Sequence, residues 1–505
     1  MSKRVKRQTS LSGAAGDAGV LALVAFGLLA AVHLWMGNGY GFHRDELQFL
    51  DDARHLHWGF AAYPPMTSFC GRVAIALFGI SPQVLRLPAM VLNSISLVLT
   101  GLIARELGGK RWAQITALLA ALASALVFSS VLQYNTPDLL AWNLLALGTA
   151  CVLRRKDARW WLLAGAGVGL GVLSKYTIAL PTVSLLAGLL VLPTQRHYLR
   201  NRWFWAAVGL TLLIASPNLI WLVRHDFLTL RMEQFIHARD VRNGRAEGFF
   251  TDQLKFTLFG FAFALAGLVS LLRDARFRLL SALYLGPLVL LVLTKGRGYY
   301  LMPGYPVLYA AGAVALERAL HGRGRALRVG ASAVVLAAAA VESAAVAWTY
   351  LPVWPVGSPA WNWQMANNED MANEVGWPEF VAQVAAVRDG LPPADKQRLA
   401  VLANNFGEAG ALELYGPRYG LPLPISSVNS FHDRGYGPYQ PETLIVVGSN
   451  LDDQLQNFTT CRIVARVHLP YGVQNEETKY HPQILVCHRL RGQWDVVWAR
   501  SQEFG

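Results

Sequence analysis

Apolar residues in this chain come in blocks of about twenty, each closed by a short Arg-rich or Gly/Pro-rich break. A block of that length crosses hydrocarbon as a helix, because every backbone polar group is then satisfied within the segment. The pattern predicts spans near 17–36, 84–104, 112–131, 137–153, 159–174, 177–193, 203–223, 249–272, 278–294, 302–320 and 327–348, about eleven in all. Those at 159–174 and 177–193 are short and nearly continuous. From about Leu351 the texture changes. Phe380 to Val387 has helical periodicity, while Leu399–Ala403, Thr443–Val447, Arg462–His468 and Ile484–His488 read as short strands rich in β-branched residues. The expected organisation is a polytopic α-helical membrane domain, 1–348, followed by a soluble α/β domain, 349–505.

Composition agrees: 53% of residues are hydrophobic and 15% charged, with a mean hydropathy of +0.31. The net charge of +13 invites a nucleic-acid reading, but its distribution argues against one. Lys3, Arg4, Lys6 and Arg7 precede the first span, and every even gap is short and basic, as in Arg154-Arg155-Lys156 and Arg273 to Arg278. This is the positive-inside pattern. It places the N-terminus in the cytoplasm and the tail outside, with membrane lipids and not nucleic acid as partners. The first apolar run lacks a small-residue cleavage pattern, so no signal peptide is expected to be removed.

With that orientation, the chemistry-bearing residues fall on the outer face. The first outer gap carries His43-Arg44-Asp45-Glu46 and then Tyr63-Pro64-Pro65. Adjacent carboxylates are ordinarily solvated charge. Here Leu47, Phe49, Leu50 and Asp51-Asp52 continue a pattern that suggests an amphipathic helix on the membrane surface, around 44–58, with a second around 66–78. Asp138 is a lone acid at the outer mouth of a span, preceded by Asn135. Such an acid serves as a helix-dipole partner or marks function, because ionisable groups at membrane depth are costly. Lys175, followed by Tyr176, is the lone charge between two apolar spans, where snorkelling is the plain explanation. Lys295, Arg297, Tyr299 and Tyr300 form a second cationic-aromatic cluster. Carboxylates with cations suit transfer of a group from a lipid phosphate to an acceptor: one acid takes the acceptor proton and the cations stabilise the leaving phosphate. The gap from Arg224 to Gly248, with His237 and several arginines, reads as a long outer loop acting as a lid. Glu408, His432, Asp433 and Arg434 read as surface. Cys461 and Cys487 lie on or beside two strands, where a disulfide and a free pair are both open. No metal-ligand spacing is present.

At these residues the chain resembles the family 39 glycosyltransferases of the GT-C superfamily, bacterial relatives of dolichyl-phosphate-mannose protein mannosyltransferases and of the lipid A aminoarabinose transferase. The resemblance rests on the order Phe-His-Arg-Asp-Glu-Leu, Tyr-Pro-Pro, Thr136-Pro-Asp138, Leu173-Ser-Lys175-Tyr176 and Arg297-Gly-Tyr-Tyr-Leu-Met-Pro303. In the tail it continues through Asn404 to Gly410, Leu414 to Pro417 and Asn475-Glu-Glu477. It implies a GT-C bundle in the bacterial inner membrane and an inverting transferase that uses a polyprenyl-phosphate-linked monosaccharide. No metal or other cofactor is implied. Asp45 takes the role of general base with Glu46 supporting it, and Asp138 orients acceptor or donor. His43, Arg44, Tyr63, Asn135, Lys175, Tyr176, His237, Arg297, Tyr299 and Tyr300 fall to substrate binding. Ala62-Tyr63 departs from the acidic or glutamine residue often found before Pro-Pro. The acceptor, whether lipid, glycan or protein, is left open.

Two other classes compete. A lipid-linked-sugar transporter would show paired half-repeats with broken helices at mid-membrane depth, and the sequence has no evident halves. A polysaccharide polymerase or ligase would lean on arginine-rich loops, for which Arg224–Arg245 is the one supporting feature.

Overall fold

The computed structural model describes residues 20, 23–27, 29–31 and 39–505; most of the first expected span lies outside them. The described chain divides into two compact units. One comprises the described residues between 20 and 31, Arg86–Asp226 and Ile236–Leu351; the other comprises residues 39–85, Phe227–Phe235 and Pro352–Gly505.

The first unit is helical. Each of the ten other expected spans coincides with helix, but only five are individually long and apolar enough to cross a membrane: Pro82–Glu106, Arg111–Ser129, Asn135–Arg155, Arg202–Arg224 and Arg325–Tyr350. Span 249–272 is instead two helices, Phe249–Thr257 and Gly260–Arg273, bent by 106°. Trp161–Val172, Ala179–Val191, Arg278–Leu293 and Tyr305–Leu320 have 12 to 16 residues. At 1.5 Å per residue these fall short of a hydrocarbon core about 30 Å thick. The missing length is taken up by 3₁₀ turns at Tyr176–Ile178 and Gly298–Gly304, which carry motif residues. Gly260–Arg273 and Tyr305–Leu320 touch backbone to backbone. A Cβ at Gly267 would lie 2.0 Å from the Leu308 carbonyl oxygen, and one at Gly312 would lie 2.1 Å from that of Phe263. Without a hydrophobic force between helices in lipid, such close contact is what holds them together.

The second unit is built on a five-stranded sheet: β1 (Leu399–Ala403), β2 (Pro424–Ile425), β3 (Thr443–Val447), β4 (Phe458–Arg466) and β5 (Gln483–Leu490). The order is β2-β1-β3-β5-β4. β1 runs parallel to β2 and β3, and β5 is antiparallel to β3 and β4. β1 and β3 are buried along their whole length, as parallel strands covered on both faces should be. The four expected strands are all present. β4 begins at Phe458 rather than Arg462, and the two-residue β2 was too short to show a pattern. Cys461 and Cys487 face each other in the β4–β5 register and form a disulfide.

The helix Arg44–Arg54 corrects the surface-helix expectation. Arg44, Glu46 to Asp52 and Ala53 are all buried, because the helix packs against Phe406–Tyr415 of the same unit. The contact is tight: a Cβ at Gly410 would lie 2.8 Å from the Cβ of Leu47 and 2.9 Å from its carbonyl oxygen. Gly410→Ala should therefore destabilise this unit by roughly 1–3 kcal/mol. The check is a lowered thermal midpoint of the detergent-purified chain; an unchanged midpoint would show that the helices can part freely.

Candidate functional site

In the helical unit the site residues gather at the start of the helix Asn135–Arg155. Tyr134 is its N-cap, and Asn135 and Asp138 lie in its first turn. Lys175 sits in the break between Trp161–Val172 and the 3₁₀ turn, with extended backbone (φ −163°, ψ 134°). Its Nζ donates to Asn135 Oδ1 at 2.8 Å. The same ammonium lies 4.7, 4.8 and 4.2 Å from the ring centroids of Tyr134, Tyr299 and Tyr300. Three electron-rich faces therefore surround a cation that is only 6% exposed. Thr177 Oγ1 donates to Asp138 Oδ2 at 3.1 Å, and the Tyr176 hydroxyl donates to Asn218 Oδ1 at 2.9 Å. Lys175–Thr177 is thus stitched to the helix that carries Asn135 and Asp138.

Arg297 does not face this box as a bare cation. Its guanidinium grips the buried Asp240 carboxylate with two nitrogens, Nη2 to Oδ1 at 2.9 Å, and its Nη1 lies 3.4 Å from the Tyr299 hydroxyl. The turn Gly298–Gly304 that presents both tyrosines is fixed by Gln253 Nε2, which donates to the Gly298 carbonyl at 3.0 Å. Asp240 lies on the helix Leu228–Arg242. The region expected as a long loop is therefore largely helical, with Leu228, Thr229, Met232 and Asp240 buried. His237 is exposed on this helix.

In the second unit His43 caps the helix Arg44–Arg54. Its Nδ1 accepts from the Asp45 N–H at 3.1 Å, while Glu46 Oε2 accepts from the His43 N–H at 3.0 Å, completing a capping box. The ring's other nitrogen, Nε2, donates to Asp370 Oδ1 at 3.2 Å. Glu46, fully buried, thereby fixes the start of this helix. Arg44 pairs with Glu476, and its Nε lies 3.2 Å from Glu477 Oε1. Asp45 lies in the first turn and keeps 34% of its side chain exposed. It is recessed yet reachable. Burial raises its carboxyl above the ordinary range, and His43 and then Arg44 compensate only in part. A carboxylate so tuned is a stronger base that remains accessible to a substrate proton.

Tyr63 lies beneath this helix. Its hydroxyl donates to Asp52 and lies 2.9 Å from Ser68 Oγ. Asp52 also accepts from Ser430 Oγ at 2.5 Å, and Arg434 reaches both Asp51 and Asp52. Two buried carboxylates thus share one guanidinium. Burial first, and then the neighbouring Asp51, push the Asp52 carboxyl up to about 7. Its folded value lies above the unfolded value of about 3.9, so the native state resists ionisation and stability declines as pH rises through that window. Asp52→Asn, which keeps the acceptor oxygen, should gain on the native protein between about pH 4 and pH 7. Thermal midpoints of the two proteins across pH 4–8 test this; a constant difference would contradict it.

Arg434 and Glu408, expected on the surface, are instead an ion-pair partner and a buried acid. Asp370, Glu476 and Arg434 carried no local signal, because their partners lie hundreds of positions away.

Residues 62–221, which include Tyr63, Asp138 and Lys175, match the family described as dolichyl-phosphate-mannose-protein mannosyltransferase. The chain is 28% identical over 214 residues to the lipopolysaccharide core galacturonosyltransferase RgtA of Rhizobium johnstonii, covering 41% of each protein. It is 27% identical over 235 residues to that organism's lipid A galacturonosyltransferase RgtD, covering 44% of this chain and 46% of the relative. The matched region is therefore less than half the length of these relatives. Among solved structures, ArnT from Cupriavidus metallidurans bound to undecaprenyl phosphate superposes with a TM-score of 0.58 at 16% identity, covering 94% of this chain and 98% of ArnT. The chain has the GT-C fold. The resemblance read from the motifs is borne out at that level: apolar membrane helices joined to a small C-terminal sheet domain are the GT-C arrangement found in ArnT, and the protein is multi-pass.

Proposed function

We propose that this GT-C protein is an inverting glycosyltransferase that moves a monosaccharide from a polyprenyl-phosphate carrier to an acceptor on the extracytoplasmic face of the bacterial inner membrane. The observation that carries the reading is the box around Lys175: a desolvated ammonium held by Asn135 and three tyrosine faces, beside a buried acid. A fixed cation in low dielectric suits a phosphate monoester leaving group better than a solvated one does. That ArnT is seen with undecaprenyl phosphate, and that RgtA and RgtD transfer galacturonosyl groups, support a lipid-phosphate donor and a lipid-anchored saccharide acceptor.

In this reading Asp45 removes the proton from the acceptor hydroxyl as its oxygen bonds to the anomeric carbon. The bond from that carbon to the carrier phosphate oxygen breaks, and the phosphate departs with the electron pair. A single displacement inverts the anomeric centre. Lys175 meets the carrier phosphate, assisted by the tyrosine hydroxyls. Asp138 and Asn135 orient the sugar, and His43, Arg44 and Glu46 hold Asp45 in place. Arg297, engaged by Asp240, positions Tyr299. The basic even gaps support this orientation, with both acids read as facing outward.

The test is carrier binding. Undecaprenyl phosphate should bind and raise the thermal midpoint of the purified protein, whereas undecaprenol and nucleotide sugars should not. Equal stabilisation by undecaprenol, or stabilisation by a nucleotide sugar alone, would count against a polyprenyl-phosphate donor.

A further inference from the structure

Within the second unit a cleft of about 310 Å³ lies between the helix Pro359–Asn367 and the segment from Tyr471 through Lys479. That is the lower end of the range for small-molecule sites. Two aromatic rings wall it, Trp361 buried and Tyr471 69% exposed, with centroids 6.3 Å apart and edge to face. The rest of the lining is mixed: Asn362, Gln474 and the Glu369–Lys479 pair, joined at 2.9 Å, stand beside the apolar Met365 and Val473.

Tyr471 is placed at a cost. Its backbone is left-handed (φ 57°, ψ 15°), a region bulky residues rarely occupy. Its ring lies across Gly357, where a Cβ would come within 2.9 Å of it. A large aromatic held in a strained conformation and left mostly in solvent contributes little to the core, and strain of this kind gathers at ligand sites. Its partners in the cleft are planar amides and a neutralised ion pair, which offer donors and acceptors side by side. Vicinal hydroxyls match that lining, and the C–H face of a pyranose matches the rings.

The cleft is also built into the Asp45 support. In the 3₁₀ turn Glu369–Glu374, Glu369 lines the cleft, Asp370 accepts from His43 and the Glu374 carbonyl accepts from the Gly41 N–H at 2.7 Å. In the helix Glu476–Tyr480, Lys479 lines the cleft while Glu476 pairs with Arg44. Two elements that each contribute to its lining therefore also hold the two residues immediately before Asp45.

We propose that this cleft binds a saccharide unit of the acceptor, and that the shared walls couple its occupancy to the position of Asp45. The acceptor role rests on the transferase reading; saccharide binding itself does not. The experiment is saturation-transfer NMR on the full chain in detergent, with maltotriose and a deacylated glucosamine disaccharide as probes. At least one probe should receive saturation on its ring C–H protons. Tyr471→Gly, which relieves the left-handed strain and so spares the fold, should weaken binding about tenfold, the size of one aromatic contact. Asp45→Asn should bind the probe like the native protein, so that loss of turnover and loss of this site are read separately. In transfer assays Tyr471→Gly should raise the acceptor KM and leave carrier binding unchanged. Absence of saturation on both probes with the native protein would overturn the proposal. So would saturation unaltered in both Tyr471→Gly and Gln474→Ala.

Discussion

Asp45→Asn should lower sugar transfer by roughly 10²–10⁴-fold, the usual worth of a general base, while carrier binding and thermal midpoint stay close to those of the native protein. The substitution preserves shape, and neither cap interaction uses the Asp45 carboxylate: His43 accepts from its backbone N–H and Glu46 supplies the reciprocal bond. The helix start should therefore survive. What is lost is a basic oxygen at a position still reached by solvent. Burial raises the carboxyl above its ordinary range, so the native enzyme should show an acid limb in kcat/KM above the usual carboxylate region. Residual activity in the variant should have lost that limb. A variant within a few-fold of native activity would assign the base elsewhere, with Asp138 the next candidate.

Lys175→Met should weaken undecaprenyl phosphate binding and reduce transfer by roughly 10²–10³-fold, the typical worth of one preorganised electrostatic contact. Methionine has nearly the length of lysine, and its thioether packs well against aromatic rings, so the box of Tyr134, Tyr299 and Tyr300 should stay filled. Lys175→Arg should not restore activity, because a planar guanidinium cannot sit at the centre of three converging ring faces as a compact ammonium does. A purely structural lysine would give the opposite result: a lower thermal midpoint with unaltered carrier affinity. Donor KM and thermal midpoint, measured on the same preparations, separate the two.

The parts of this architecture that were legible in the sequence are those set by local periodicity. Apolar blocks near twenty residues located the helices, and β-branched runs located four of five strands, because burial on both faces of β1 and β3 leaves a continuous apolar signature. Lys175 and Asp138 stood out because a charge is conspicuous in an apolar run. Partnerships across the chain were not legible. Arg44 meets Glu476 across 432 positions, and Ser430 meets Asp52 across 378. Without those partners the acids of the helix Arg44–Arg54 read as a solvated face, when they are buried and compensated. The arginine density of 224–248 read as loop for the same reason. Asp240 neutralises Arg297, and Leu228 and Met232 supply the buried side of a helix whose pattern the charges obscured.

The most direct measurement is a transfer assay on purified protein with a panel of radiolabelled polyprenyl-phosphate sugars, polyprenyl-phosphate galacturonic acid among them, and a lipid A–core acceptor. Label transfer and release of the carrier phosphate are followed together. The account predicts one donor turned over with equal amounts of sugar transferred and phosphate released, and both signals lost in Asp45→Asn. Transfer that persists in Asp45→Asn, or no binding and no turnover of any polyprenyl-phosphate sugar by the native protein, would contradict it.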